Sequence, residues 1–128
     1  MKRNTPKGLF MNMQQFSKEV GLSSHTLRYY EKIGLLKNIH RNSNGHRYYN
    51  AQDVAWVIFV KRLKETGMRL NEILQYVRLS DGGSETLHAR ESMLSMHRER
   101  VVEQICLLES HLKALDYKIN LYKNGKVC

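Results

Sequence analysis

Apolar residues in the first eighty positions recur at helical spacing in four short blocks, and then settle into one seven-residue rhythm. Met13, Phe16 and Val20 stand at i, i+3 and i+7, which predicts a short first helix stopped by Gly21. Ser23 is suited to cap a second helix, because its hydroxyl can accept an otherwise unpaired backbone N–H. That helix runs to about Lys32, with Leu27 and Tyr30 facing inward and Gly34 as its stop. A third helix follows the cap Asn50 and runs to about Glu65, with Val54, Val57, Phe59, Val60 and Leu63 as a broad apolar face and Gly67 as its end. A fourth, over residues 71–79, buries Leu70, Ile73, Leu74 and Val77. Residues 37–49 read as a β-hairpin, because Asn44-Gly45 tolerates the positive φ that tight hairpin turns demand. Ile39 and Arg41 lie on one strand, Arg47 and Tyr49 on the other, and Asn42, Ser43, Asn44 and His46 occupy the loop. One of Tyr48 and Tyr49 must point inward; the alternation leaves open which.

Leu87, Leu94, Val101, Leu108, Leu115 and Tyr122 recur every seven residues, with Ile105, Leu112 and Ile119 four further on. This is a coiled-coil seam on one helix spanning 85–123. At ~1.5 Å rise per residue such a helix exceeds ~50 Å, too long to bury its stripe against seventy residues. A second copy of the chain, related by twofold symmetry, is the expected partner. Ser80-Asp81-Gly82-Gly83-Ser84 is turn-rich and reads as a hinge. The expected architecture is mainly α: a flexible basic tail over 1–10, a winged helix-turn-helix over 11–79, a hinge over 80–84, the dimerisation helix over 85–123 and a flexible tail over 124–128.

Charge sharpens this division. The 128-residue chain carries a net charge of +9. Residues 1–79 hold 14 Lys and Arg against 5 Asp and Glu, whereas residues 80–128 hold 7 of each. A basic half joined to a neutral half implies a polyanion-binding module and a part with another task. The second helix offers what duplex DNA requires. Arg28 can meet a phosphate or a guanine edge, Ser24, His25 and Thr26 lie at the end a recognition helix inserts, and Tyr29 can place its hydroxyl on a phosphate. The wing adds Arg41, His46, Arg47 and Tyr48, and Lys61, Lys64 and Arg69 form a further basic edge. Glu31 reads as a surface partner for Arg28. No paired-carboxylate pocket, nucleophile–base pair or phosphate-binding glycine loop points to an enzyme or a cofactor. No run of ~20 apolar residues spans a membrane, residues 1–10 lack the apolar core of a signal peptide, and two cysteines make no disulfide framework. A reducing cytoplasm is the expected setting.

The segments FSKEVG (16–21), TLRYYEKIGLL (26–36), NGHRYY (44–49) and FVKRLKETG (59–67) resemble the DNA-binding domain of the MerR family of bacterial transcription regulators. With the trailing seam, the resemblance covers nearly the whole chain after residue 10. It implies base and phosphate contacts from Ser24, His25, Thr26, Arg28 and Tyr29, wing contacts from Gly45, His46, Arg47 and Tyr48, and a phosphate contact from Lys64. It implies an antiparallel coiled-coil homodimer on a pseudo-palindromic promoter operator, with DNA bent and untwisted so that RNA polymerase can engage it, a form of regulation through deformation energy. Two positions depart from the family pattern: His46 stands where an aromatic residue is usual, and Arg69 where a capping Ser or Thr is usual.

Metal-sensing members place cysteines around the ends of the long helix, and here only Cys128 lies near either end. His88, His97 and His111 are not at ligand spacing to one another or to Cys106, so no metal site is expected. The chain most resembles the short branch that responds to aldehydes or thiol stress, but Arg62 occupies the position of that branch's third-helix cysteine. A thiol switch, if there is one, falls to Cys106 or Cys128, and Cys106 beside the seam is expected to be buried. The alternative reading is an interaction protein whose coiled coil binds another protein and whose basic domain anchors DNA without regard to sequence.

Overall fold

A computed structural model describes residues 10–37 and 40–126. The chain divides into two compact units that meet between Ser84 and Glu85. The first contains α1 (Met13–Val20), α2 (Ser24–Ile33), β1 (His40–Arg41), β2 (Arg47–Tyr48), α3 (Ala51–Glu65) and α4 (Leu70–Ser80). A 3₁₀ turn, Gly83–Thr86, leads to α5 (Leu87–Lys123) of 37 residues in the second.

Local chemistry explains where the helices begin. Asn12 and Gln15 close a reciprocal capping box on α1, each side-chain oxygen accepting the other's backbone N–H at 2.9 Å. Ser23 Oγ accepts Thr26 N–H at 3.1 Å to start α2, and Asn50 with Asp53 repeats the box on α3. Gly21 and Gly34 end α1 and α2 at φ values of 73° and 91°, which glycine adopts without the steric cost of a Cβ. At α4 the side chain of Arg69 offers no acceptor, but Glu72 accepts Arg69 N–H at 3.0 Å and supplies the other half of the box.

The core of the first unit joins the inward faces of α1 to α4: Phe16, Val20, Leu27, Tyr30, Val57, Val60, Leu63, Ile73 and Val77. Met11, Leu35, Leu36 and Met68, which lie in connections, are equally buried. Leu70 and Leu74, expected in the core, are only half-buried, as are Val54 and Phe59. Phe59 instead joins Trp56 and Tyr76 in an aromatic cluster, with Trp56 Nε1 donating to Leu35 O at 2.7 Å.

The hairpin is shorter than expected and turns differently. His40 pairs with Tyr48 and Arg41 with Arg47; Ile39 lies outside the described residues. Asn44-Gly45 does not form a two-residue turn. Gly45 N–H bonds Asn42 O, and Asn42 N–H bonds His46 O, each at 2.9 Å. Gly45 sits at φ 80°, as in a three-residue loop built on a type I turn. Asn42 Oδ1 dictates this by accepting both Asn44 N–H and His46 N–H.

Tyr49 is the inward tyrosine. Its ring stacks on Phe16 with centroids 4.1 Å apart and planes 9° off parallel, and its backbone bridges Met11. Phe10 packs its ring on Tyr48, so the folded part already includes residue 10, which was expected in the tail. Residues 1–9 lie outside the described residues, as do the last two of the C-terminal segment, Cys128 among them. Within residues 80–84, Ser80 ends α4, Asp81 pairs with Lys37, and Gly83 opens the 3₁₀ turn. The long helix accordingly starts at Leu87, two residues later than expected. Among the described residues no helix is long and apolar enough to cross a membrane.

Tyr49 also carries a buried hydroxyl with no hydrogen-bond partner among the described residues. Burial pushes its phenol above the ordinary 10.0, Glu31 adds to the shift, and Arg47 and Arg28 oppose it. A neutral acid whose folded-state pKa is raised stabilises the fold below its unfolded pKa and loses that contribution as pH climbs through the folded value. Urea unfolding of Tyr49→Phe is expected to give equal or greater stability at pH 7, by up to about 1–3 kcal/mol for the removed orphan hydroxyl. The variant should also lose less stability than the parent as pH rises above 10.0. A clear loss at pH 7 would show that the hydroxyl is satisfied.

Candidate nucleic-acid interface

The outward face of α2 and the tip of the wing lie side by side. Leu27 and Tyr30 are buried, so the 3.6-residue period turns His25, Arg28 and Tyr29 to solvent, and all three are exposed. Ser24 and Thr26 are half-buried at the helix start, where Ser23 Oγ also donates to Thr26 Oγ1 at 3.0 Å. Arg28 makes no hydrogen bond or ion pair among the described residues. It lines a cleft of about 280 Å³ with Asn12, Met13, Gly45, His46 and Arg47. The cleft joins the start of α1, the middle of α2 and the wing tip, so a ligand lying across it touches both predicted contact elements.

The remaining cations divide into two groups. Arg47 Nε binds Glu31 Oε1 at 2.8 Å in a part-buried pair that ties the wing to α2. Glu31 is therefore committed to the wing rather than to Arg28, the pairing expected from the sequence. Arg41 Nη1 donates to Gly45 O at 3.0 Å, bracing the wing loop from within. Lys61, expected on an open basic edge, turns inward and donates to Val20 O at 3.0 Å, satisfying a carbonyl at the end of α1. Lys64 is exposed, its ammonium 5.9 Å from the centre of the Tyr30 ring, and Arg69 is exposed ahead of α4. His46 is exposed at the wing tip; Tyr48 is half-buried between Phe10 and His40.

Sequence reasoning missed Phe10 and His40. His40 stacks on Tyr48 with centroids 5.1 Å apart and approaches Asp53 at 3.8 Å, linking the wing to the start of α3. Its position on the strand opposite Tyr48 was the available signal.

On α5 the seam positions Leu87, Ile105, Leu108, Leu112, Leu115, Ile119 and Tyr122 are exposed, and Leu94 and Val101 half-buried. Cys106 is exposed as well within one copy of the chain. The seam accounts for Ile105, and the next residue lies about 100° further round the helix, off the stripe. Among the described residues no group of three His, Cys, Asp or Glu could hold a metal ion.

Residues 11–79 match the family described as MerR HTH family regulatory protein, and residues 54–119 match the one described as MerR, DNA binding. The chain belongs to the MerR family. Among MerR relatives, the transcriptional regulator AdhR of Bacillus subtilis (strain 168) is 36% identical over 93 residues, 73% of this chain and 66% of AdhR. An HTH-type transcriptional regulator of Haemophilus influenzae is 34% identical over 110 residues, 86% of this chain and 82% of that protein. The crystal structure of HiNmlR, a MerR family regulator lacking the sensor domain, bound to promoter DNA, superposes with a TM-score of 0.82 at 32% identity over 91% of this chain and 93% of that one. The protein is a DNA-binding transcription regulator of this family.

The Glu31–Arg47 pair can be tested apart from direct DNA contact, because a carboxylate repels phosphate. Glu31→Ala removes an acid from a basic surface, which simple charge counting expects to tighten DNA binding. Loss of the wing's anchor should instead weaken binding several-fold and lower stability by about 1–2 kcal/mol. Fluorescence anisotropy and thermal melting of the variant check both; tighter binding would show that the pair does not set the wing's position.

Proposed function

We propose that the protein acts in the cytoplasm as a homodimer, placing two copies of the α2–wing surface on a pseudo-palindromic promoter operator and deforming the duplex to control RNA polymerase. The observation that carries this reading is the shared cleft of Arg28, Gly45, His46 and Arg47, which presents a recognition helix and a wing to one ligand. Ser24, His25, Thr26, Arg28 and Tyr29 serve the major groove and its phosphates. Gly45, His46, Arg47 and Tyr48 serve the adjoining backbone, and Lys64 and Arg69 the phosphates beyond. Arg41 acts through the wing loop it braces. HiNmlR, seen on promoter DNA, supports duplex DNA as the ligand.

A second copy is supported by α5. Large apolar side chains stand exposed along it from Leu87 to Tyr122, an arrangement that costs free energy unless covered. Twofold pairing through Leu94, Val101, Ile105, Leu108, Leu112, Leu115 and Ile119 covers them and matches the symmetry of an inverted repeat. Such a dimer holds both half-sites at once, so a change in the pairing bends or untwists the DNA between them.

Selection of genomic fragments followed by footprinting should yield an inverted repeat protected on both halves. Arg28→Ala is expected to weaken binding to that repeat by about 1–3 kcal/mol, roughly five- to 150-fold, while random-sequence affinity changes far less. Affinity that follows salt but never sequence would sink the regulator reading in favour of a nonspecific anchor. Leu108→Asp combined with Leu112→Asp should produce a monomer in sedimentation and abolish two-sided protection. A persistent dimer would place the interface elsewhere.

A further inference from the structure

Three exposed side-chain amides of the first unit are held in one orientation by the backbone. Asn12 Oδ1 accepts Gln15 N–H and Gln15 Oε1 accepts Asn12 N–H, both at 2.9 Å, in the capping box of α1. In the wing loop Asn42 Oδ1 accepts Asn44 N–H at 2.9 Å and His46 N–H at 3.0 Å. A backbone N–H can only donate, so the amide atom turned toward it must be the oxygen. The NH2 group is thereby left facing away, and none of the three has a hydrogen-bond partner among the described residues.

All three residues line one open cleft of about 700 Å³ between the start of α1 and the wing. His46 and Arg47 line it too, and no carboxylate does. The cleft adjoins the one that Arg28 lines, with which it shares Asn12, His46 and Arg47. Arg47 Nε is committed to Glu31, which leaves the terminal N–H groups of the guanidinium as further donors. The amide oxygens are occupied within the protein, so these side chains offer the cleft donors and not acceptors. A matching ligand is rich in acceptors and short of donors. The phosphodiester backbone of DNA fits that description, whereas base edges mix the two.

We propose that Asn12, Gln15 and Asn42 hold a DNA backbone phosphate in this cleft, as uncharged donors beside Arg47. The inference rests on the DNA-binding reading above and adds a contact that charge counting does not find, because none of the three residues is charged. The hydrogen bonds that start α1 and close the wing loop also aim the donors, so folding of these two elements builds the site. Donors fixed before DNA arrives lower the ordering cost of the contact.

The variants Gln15→Glu and Asn42→Asp separate the contact from the fold. Each keeps the oxygen that accepts the backbone N–H and replaces only the outward NH2 with a second oxygen. Thermal melting of the full chain should therefore stay close to the parent's. Affinity for a duplex carrying the selected inverted repeat should fall at least about tenfold in each, as expected for a lost hydrogen bond to a charged group. Gln14→Glu is the charge-matched control, since Gln14 is exposed on the same helix and does not line the cleft; its effect should be several times smaller. Methylphosphonate substitution at single positions of the repeat locates the contact: neutralising the phosphate held in the cleft should remove most of the Gln15→Glu penalty, and neutralising distant ones should leave it. One variant lies in α1 and the other in the wing, so a folding defect in either leaves the other to decide. Losses no larger than that of Gln14→Glu, or a penalty that no single methylphosphonate relieves, overturn the amide site alone when the parent protects the repeat normally. Failure of the parent to protect any repeat overturns the regulator reading, and the site with it.

Discussion

The stack of Tyr49 on Phe16 is the contact on which the DNA-facing surface depends. Both rings are fully buried, 4.1 Å apart and nearly parallel. Successive side chains in a strand take opposite faces, so fixing Tyr49 inward commits Tyr48 outward and leaves Arg47 on the Tyr49 side. Arg47 can then reach Glu31 on α2, and Tyr48 is left to receive Phe10 and His40. The backbone of Tyr49 meanwhile bridges Met11 just ahead of α1. One aromatic pair thus registers the wing against both helices of the helix-turn-helix. The orphaned Tyr49 hydroxyl is a cost the site carries, offset by the packing of a large ring.

Net positive charge overstates the surface available for DNA. Lys61 is engaged by the Val20 carbonyl, Arg47 by Glu31, Arg41 by Gly45 and Lys37 by Asp81. Three of these four cations shape the helix-turn-helix and its wing, and the fourth holds the end of α4 to the segment after α2. Among the described residues Arg28 and Lys32 of α2 are left without such a partner, and Arg28 lines the cleft shared with the wing, which suits it to an external ligand. Arg47 serves both ends: Nε is committed to Glu31, while a guanidinium retains terminal N–H groups that can meet a phosphate. Its orientation is then set before DNA arrives, which reduces the ordering cost of binding.

Features encoded within a few residues were legible in the sequence; features encoded by long-range packing were not. The α1 boundaries and the caps at Ser23 and Asn50 follow from short-range side-chain chemistry, and the structure has them where the spacing put them. Alternation could say that Tyr48 and Tyr49 oppose each other, but only the Phe16 ring, 33 residues earlier, decides which is buried. Glu31–Arg47 spans 16 residues, so the local reading favoured Arg28. Leu35, Leu36 and Met68 sit in connections, where no period marks them as core. Asn42 was placed in the loop, but its two N–H acceptances, which override the Asn44-Gly45 signal, depend on the loop already being closed.

The exposed seam on α5 ties DNA recognition to the helix's own stability. Helical stability in water comes largely from packing of an apolar face rather than from propensity, even in long segments. Along most of α5 that face meets solvent within one copy of the chain. Each Leu or Ile fully covered by a partner contributes roughly 1.5–3 kcal/mol, so even partial burial of seven or eight seam residues outweighs the association cost of ~4–15 kcal/mol only when most of them engage together. Pairing in the proposed dimer is therefore cooperative along the helix rather than additive by residue. In that dimer a signal that shifts a short stretch of the seam acts on the whole of it.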